Sequence, residues 1–554
     1  MKRIFPILLP ALAVLPGIGA RAPDRPKGHP DPQTCQLGPE EAAKLKQIEG
    51  KYALPRFRVP SPKYAAGWKK IASYPVPKWF VDAKFGMYTH WGLYSIPGFR
   101  PTGNTYLRHM YKHDREDPKN AYEYHRKNYG DPNEFGYTDF VPKFRCEKFD
   151  GREYVDVMRS AGARFGGLCV VHHDGYCLWD SKVTRWDVGS TGPKRDIYGE
   201  FVQAARRSSF KVAATFHHAR SYGWAYGEIK RGDFTEEQKR KLDLFAPQFT
   251  DFFYPKDRMT PERFARQWHD KIVEVMDKYK PDMIWFDGLG MDRPHSPEKL
   301  VVDYLKHYYE TAEADGREVV VCNKLPSGNW FNYTEGVGMR CYEGGRSMPP
   351  NTGGYFLIDR AISYPWSWCR NKVYNLDAGY HVDALVDHVA RGGIYLLSLT
   401  PMGSGEIPPE EKRICRKIGN WLRVNGEAIY GTRRWAIPAE GPVTVWELDE
   451  KRGRIQWNYR RTSARQIRFT QKGDALYALT LGWPEDGKVT IKALRIGSPH
   501  YAGQIKSVTL LGSPGPVKFK RTDEGLKLVL PAAKPCDYAY ALRIEGKPAE
   551  SDGS

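Results

Sequence analysis

Residues 260–287 read Thr260-Pro-Glu-Arg-Phe-Ala-Arg-Gln-Trp-His-Asp-Lys-Ile-Val-Glu-Val-Met-Asp-Lys-Tyr-Lys-Pro-Asp-Met-Ile-Trp-Phe-Asp287. A hydroxyl N-cap at Thr260, Pro261 at the first helical position and an early acid at Glu262 open a helix. Phe264, Trp268, Ile272, Met276 and Tyr279 recur at helical spacing and mark one buried face. Pro281 stops the helix, and Asp282 to Phe286 then reads as a short buried strand that runs into Asp287. The same unit repeats outward in both directions. From about residue 75 to 430, short apolar runs alternate with amphipathic helices, among them a helix opened by Pro409-Glu410-Glu411 and closed at Asn425-Gly426. Many βα units in series predict a (β/α)8-like TIM barrel as the catalytic domain, over residues 71–431.

On either side the style changes. Runs such as Val443–Leu448, Ile455–Tyr459 and Ala475–Leu481 are separated by Gly, Asp and Pro turns with no long helix between them. They predict a C-terminal antiparallel β-sandwich over 432–548. Residues 23–70 read as a Pro-rich lead-in with one helical patch at Glu40–Ile48. Ahead of them, Lys2 and Arg3, an apolar run from Ile4 to Ile18 and small residues at Gly19 and Ala20 have the layout of a signal peptide, residues 1–22. The expectation is a secreted or periplasmic protein without a membrane anchor.

The 554 residues are 41% hydrophobic with 16 Trp and 34 Tyr, a composition that excludes a disordered chain. Aromatic rings suit sugars, whose C–H faces lie flat on indoles and phenols. The formal charge of +20, from 85 Lys and Arg against 65 Asp and Glu, attracts polyanions. It is spread in mixed runs without a nucleic-acid motif, so the expected partner is an anionic glycan rather than nucleic acid or a membrane. Nine cysteines show neither a CxxC pair nor a zinc spacing, and Cys169, Cys322 and Cys415 lie in apolar stretches as buried hydrophobes.

Barrel enzymes carry their reactive groups where strands end. Here Phe85–Thr89 ends in His90-Trp91, Phe165–Val171 in His172-His173-Asp174, Val212–Phe216 in His217-His218, Asp282–Phe286 in Asp287, and Val319–Cys322 in Asn323-Lys324. Two chemistries suit this set. Histidines and an Asp can hold zinc, although adjacent residues leaving a strand point opposite ways. Alternatively, neutral imidazoles bind sugar hydroxyls, Trp91 and Trp179 pack on the ring, and Asp287 attacks the anomeric carbon. That chemistry needs a second carboxyl roughly 5–5.5 Å away.

Longer motifs carry a resemblance. Lys84-Phe-Gly-Met-Tyr-Thr-His-Trp-Gly-Leu-Tyr-Ser-Ile-Pro97, His172-His-Asp-Gly-Tyr-Cys-Leu-Trp-Asp-Ser181 with Lys194-Arg-Asp196, Trp285-Phe-Asp-Gly288, Trp421-Leu-Arg-Val-Asn-Gly-Glu-Ala-Ile-Tyr-Gly431 and Phe469-Thr-Gln-Lys-Gly-Asp-Ala-Leu-Tyr477 resemble segments of the family 29 α-L-fucosidases. The resemblance spans about residues 70 to 545. It implies a retaining mechanism, no cofactor and no metal, with Asp287 as nucleophile. His90, His172, His173 and His217 or His218 would contact sugar hydroxyls, and Trp285 would line the pocket. Tyr342-Glu-Gly-Gly-Arg346, ahead of Tyr364-Pro-Trp366, resembles the acid/base segment of relatives, which makes Glu343 the expected acid/base and Glu335 the second choice. The substrate so implied is a fucose-containing glycan. A Glu-Trp-Tyr segment common in relatives is replaced here by Asn104-Thr105-Tyr106, which bears on sugar choice. Two alternatives follow: an enzyme for a fucose-like sugar such as α-L-galactose, or a non-catalytic glycan-binding relative.

Overall fold

The structure is a computed structural model that describes residues 36–112, 119–229, 234–288, 293–324, 330–331 and 333–546; the N-terminal segment expected to be a signal peptide lies outside them. Eight parallel strands close a barrel: β1 (Phe85–Thr89), β2 (Phe165–Val171), β3 (Lys211–Phe216), β4 (Met283–Asp287), β5 (Val320–Lys324), β6 (Met339–Glu343), β7 (Phe356–Ala361) and β8 (Gly393–Leu399), with β8 returning to β1. Strands buried on both faces read as continuous apolar runs, which is why they stand out in the sequence. Asp287, Asn323 and Lys324 belong to the strands themselves rather than following them.

Period-2 alternation sorts each strand into an inner and an outer row. Tyr88, Phe165, Ala213, Met283, Trp285, Val320, Cys322, Met339, Cys341, Leu357, Ile394 and Leu396 fill the barrel interior as one cluster. Continuing those rows toward the strand ends, by two residues or from Ala213 by four, gives His90, His217, Asp287, Lys324, Glu343, Asp359 and Ser398. The apolar plug of the barrel is therefore the floor of a polar site.

The outer rows pack on helices, including α1 (Gly151–Ser160), α2 (Ile197–Arg207), α3 (Pro261–Tyr279), α4 (Ala378–Ala390) and α5 (Pro409–Asn425). Thr260 caps α3 through its hydroxyl, which accepts from the Arg263 amide at 3.2 Å, and Phe264, Trp268, Ile272, Met276 and Tyr279 are all buried. Ile414, Ile418, Trp421 and Leu422 are the buried face of α5.

After the barrel, β9 (Arg433–Glu440) begins a five-stranded antiparallel sheet with β12 (Ile467–Lys472), β13 (Ala475–Thr480), β18 (Tyr540–Gly546) and β15 (Ile505–Leu510), in the order β9-β12-β13-β18-β15. A three-stranded sheet of β14 (Lys488–Ile491), β17 (Leu526–Val529) and β16 (Lys518–Arg521) shares a core with it through Ile437, Phe469, Ile544, Ile491 and Leu528, forming the sandwich. The hairpin β10 (Trp446–Asp449) and β11 (Arg454–Trp457) reaches back to the barrel. The helical patch in the lead-in spans Pro39–Ile48, where Glu41 pairs with Arg391 and Lys44 donates to the Val443 carbonyl. The eight described cysteines are free thiols, seven of them buried. No helix among the described residues is long and apolar enough to cross a membrane.

Candidate active site

Asp287 ends β4 and Lys324 ends β5, directly paired across the sheet. Lys324 Nζ stands 3.0 Å from Asp287 Oδ1, 3.5 Å from Glu343 Oε2 at the end of β6, and 3.1 Å from Asp359 Oδ2 on β7. Arg346 also holds Glu343, at 2.8 Å. The two sequence-predicted carboxylates thus share one ammonium at the same end of the barrel. Burial pushes Asp287 upward, but Lys324, His173 and Arg220 outweigh it and hold the carboxyl below its usual range. Asp287 is ionised at neutral pH, the state a nucleophile needs.

Four imidazoles form the opposite wall. His90 Nδ1 bonds Ser398 Oγ at 2.8 Å, His173 Nδ1 donates to the His217 carbonyl at 2.6 Å, and His217 Nδ1 lies 3.1 Å from Cys169 Sγ. His172 stacks on His217 with centroids 4.9 Å apart. His173 Nε2 and His217 Nε2 face Asp287 Oδ2 at 3.6 and 4.0 Å, beyond hydrogen-bond length. Burial and the nearby Lys324 bring His90 down to about 3, burial brings His173 to about 4, and burial with neighbouring histidines takes His172 and His217 well below the normal range. All four are neutral at physiological pH and offer hydrogen-bonding nitrogens without charge. His217 Nε2 and His172 Nδ1 are buried with no protein partner. Such orphaned polar atoms in a closed site suit a ligand rich in hydroxyls. Ring nitrogens of His90, His172 and His217 also lie within 4.8 Å of one another, a spacing that a divalent cation could use.

Some expected members are elsewhere. Trp91 is turned outward, its indole donating to the Met402 carbonyl at 2.7 Å and its ring packed on Phe144 and Phe149. Trp179 is fully buried, bonded to Glu274 at 2.8 Å. His218 faces α3, where its Nε2 bonds the Trp268 carbonyl at 3.2 Å. The reason is common to Trp91 and His218: each follows an inward-facing histidine, and the next residue along a strand faces the other way. Trp285 does face inward, two residues before Asp287, with Lys324 over its ring at 5.0 Å. Glu335 is exposed in the turn that enters β6, away from the end where Glu343 stands.

The aromatic groups at the pocket are Trp366, 4.9 Å from the His90 ring, and Trp224, 5.3 Å from His173, both half-buried. Neither was expected there. In the sequence Lys324 stands only as a strand end and Asp359 belongs to no motif, although a charge within an apolar barrel strand is a legible signal. Asn104 Nδ2 lies 3.3 Å from His172 Nε2, so the departure at Asn104-Thr105 falls on the pocket itself.

Comparison with known proteins agrees with the geometry. Residues 56–427 match the family described as alpha-L-fucosidase, and residues 460–545 match its C-terminal domain. Tissue alpha-L-fucosidase of Homo sapiens is 28% identical over 507 residues, 88% of this chain and 93% of the relative. An alpha-L-fucosidase of Branchiostoma floridae is 28% identical over 510 residues, 88% of this chain and 96% of the relative. The Thermotoga maritima alpha-fucosidase solved in complex with fucose superposes with a TM-score of 0.63 at 26% identity, covering 86% of this chain and 99% of that one.

Proposed function

The chain belongs to the alpha-L-fucosidase family of glycoside hydrolases, and from that premise we propose that it is an exported, retaining exo-glycosidase acting on terminal α-L-fucosyl residues of glycans. In the first step an Asp287 carboxylate oxygen bonds to the anomeric carbon as the bond to the leaving oxygen breaks, and Glu343 gives that oxygen its proton. In the second, Glu343 takes a proton from water, whose oxygen bonds to the anomeric carbon and releases Asp287. His90, His172, His173 and His217, held neutral, bind the sugar hydroxyls, and Trp285 and Trp366 enclose the ring. These steps use no metal or organic cofactor. The reading rests above all on two inward-facing carboxylates that touch one ammonium beside four uncharged imidazoles.

Asp287→Gly should lose hydrolysis of an aryl α-L-fucoside and regain it with azide, giving the β-fucosyl azide; an active variant without azide would refute the nucleophile assignment. Glu343→Ala should spare aryl substrates with good leaving groups, and azide should give the α-fucosyl azide. Equal losses on good and poor leaving groups would remove Glu343 from the role.

Asn104 at the pocket favours a second reading of the glycone, so aryl α-L-fucoside and α-L-galactoside belong in the same assay. For the rest of the substrate we propose an anionic polysaccharide. The net charge of +20 supports this, as do Arg220, exposed and felt electrostatically by Asp287, and Arg346 on Glu343. Faster hydrolysis of sulfated than of unsulfated oligosaccharides, with the advantage lost at high salt, is the expected outcome.

A further inference from the structure

One ammonium serving three carboxylates is more than stability requires. A buried lysine needs a counter-ion, because an uncompensated charge in the interior is costly, and Asp359 alone supplies one. Asp359 is fully buried and accepts from Lys324 at 3.1 Å, from Cys341 Sγ at 3.2 Å and from Tyr88 Oη at 3.5 Å, the donor set of an anion. It has no access to a substrate. The remaining reach of Lys324 goes to Asp287 and Glu343, and Trp285 and Trp366 flank the ammonium at 5.0 and 5.5 Å from their ring centres.

We propose that Lys324 is a catalytic residue, the shared counter-ion whose charge passes from Asp287 to Glu343 when the glycosyl-enzyme forms, and that Asp359 is the positioning residue that keeps it between them. The proposal rests on reading Asp287 as nucleophile and Glu343 as acid/base. Before attack, the ammonium stabilises the ionised Asp287. Attack forms the bond from Asp287 Oδ to the anomeric carbon, breaks the glycosidic bond and moves the Glu343 proton to the leaving oxygen. Asp287 is then a neutral ester and Glu343 a carboxylate. Lys324, still anchored by Asp359, has one anion fewer to serve, and its field falls on Glu343. Hydrolysis reverses the exchange: the water proton neutralises Glu343, and Asp287 recovers its charge and the ammonium together.

The imidazoles around these carboxylates titrate below their ordinary range, and the Tyr88 phenol and the Cys341 thiol far above the carboxylate range. Burial brings His90 to about 3 and His173 to about 4, holds His172 and His217 well below the normal range, and pushes Tyr88 and Cys341 far up; Asp359 is itself raised by burial against the pull of Lys324. A limb displaced upward in the pH profile therefore reports on the carboxylates.

The test uses the full-length enzyme with Lys324→Met and Lys324→Arg. For Lys324→Met on an aryl α-L-fucoside, the acid limb of kcat/KM should move up by about 1–3 pH units, the effect of losing a close opposite charge. A burst of aryl alcohol should appear as deglycosylation slows, and azide, which needs no base, should raise kcat. Lys324→Arg should keep both limbs near those of the wild type. A Lys324→Met enzyme that is merely slower, with its limbs in place and no burst, overturns the proposal. Because that variant strands Asp359 without a counter-ion, the double variant Lys324→Met/Asp359→Asn carries the same expectation with less risk to folding. Failure of azide rescue in Asp287→Gly would instead overturn the functional reading beneath it.

Discussion

At the ends of β1, β3, β4 and β5, whether a residue joins the site follows from its parity along the strand, whereas β2, whose register shifts between Cys169 and Val171, brings in both His172 and His173. His90 follows the inward Tyr88 by two residues, Asp287 follows Trp285, and Lys324 follows Cys322, whereas Trp91 and His218 fall on the odd, outward positions. The sequence therefore held enough to select Lys324 and to reject Trp91, once each strand was anchored by its apolar inner row. Trp366 was not legible in the same way, because it leaves β7 on a loop whose path no periodicity describes. This sorting has a kinetic consequence. Trp366→Ala should lower kcat/KM by about tenfold or more, roughly 1.4 kcal/mol of lost ring contact. Trp91→Phe removes one buried indole hydrogen bond and should cost about 1 kcal/mol of stability with kcat/KM unchanged. Thermal melts and steady-state kinetics on both variants check the contrast.

At the level of elements, the loop after β6 deserves comparison with the hairpin that braces it. Glu343 is the last residue of β6, and the chain then turns through Gly344 and Gly345, both at positive φ. The Ser347 amide donates to the Ile455 carbonyl at 2.9 Å, and the Trp457 indole donates to the Met348 carbonyl at 3.0 Å, so the β10–β11 hairpin of the C-terminal region fixes the segment that follows Glu343. A Cβ on Gly345 would come within 2.8 Å of the Trp457 ring, at a φ of +81° that side chains rarely adopt. Gly345→Ala should push the loop off the hairpin and displace Glu343. The expected loss in kcat is on the order of 10- to 100-fold for natural glycosides and smaller for aryl substrates that need no acid. A variant with full activity on both would show that the brace does not position Glu343.

Across the whole molecule, barrel, lead-in and sandwich meet on a buried ion network. Asp387 on α4 bonds Arg391 at 3.1 Å and Arg468 on β12, and Arg391 reaches Glu41 in the lead-in helix at 2.5 Å. Burial alone would raise Asp387, but the two guanidiniums overcome it and hold the carboxyl far below the usual range. A depressed folded-state value stabilises the protein above the unfolded value of about 3.9, and that contribution is lost as pH falls further. Breaking a pair of this kind by removing one partner costs about 3–5 kcal/mol. Asp387→Asn should therefore lower Tm at pH 7, and its Tm should fall less than the wild type's between pH 6 and pH 3. Calorimetry at those pH values is the check, and parallel curves would exclude Asp387 as a source of the acid sensitivity.

The sequence alone determined the barrel, the sandwich and the place of Asp287 at a strand end, because these follow from local periodicity: apolar runs of strand length, helical faces between them and a carboxylate where a run stops. It also carried the family motifs, which are contiguous. What only the tertiary structure decided is every relation between strands. That Lys324 and Asp287 are paired, that Glu343 rather than Glu335 stands at the same end as Asp287, that Asp359 lies beneath them and that Trp366 rather than Trp91 borders the pocket all depend on barrel closure and register. Closure brings together residues far apart in the chain, and no spacing along it encodes which inner rows will converge on one ammonium.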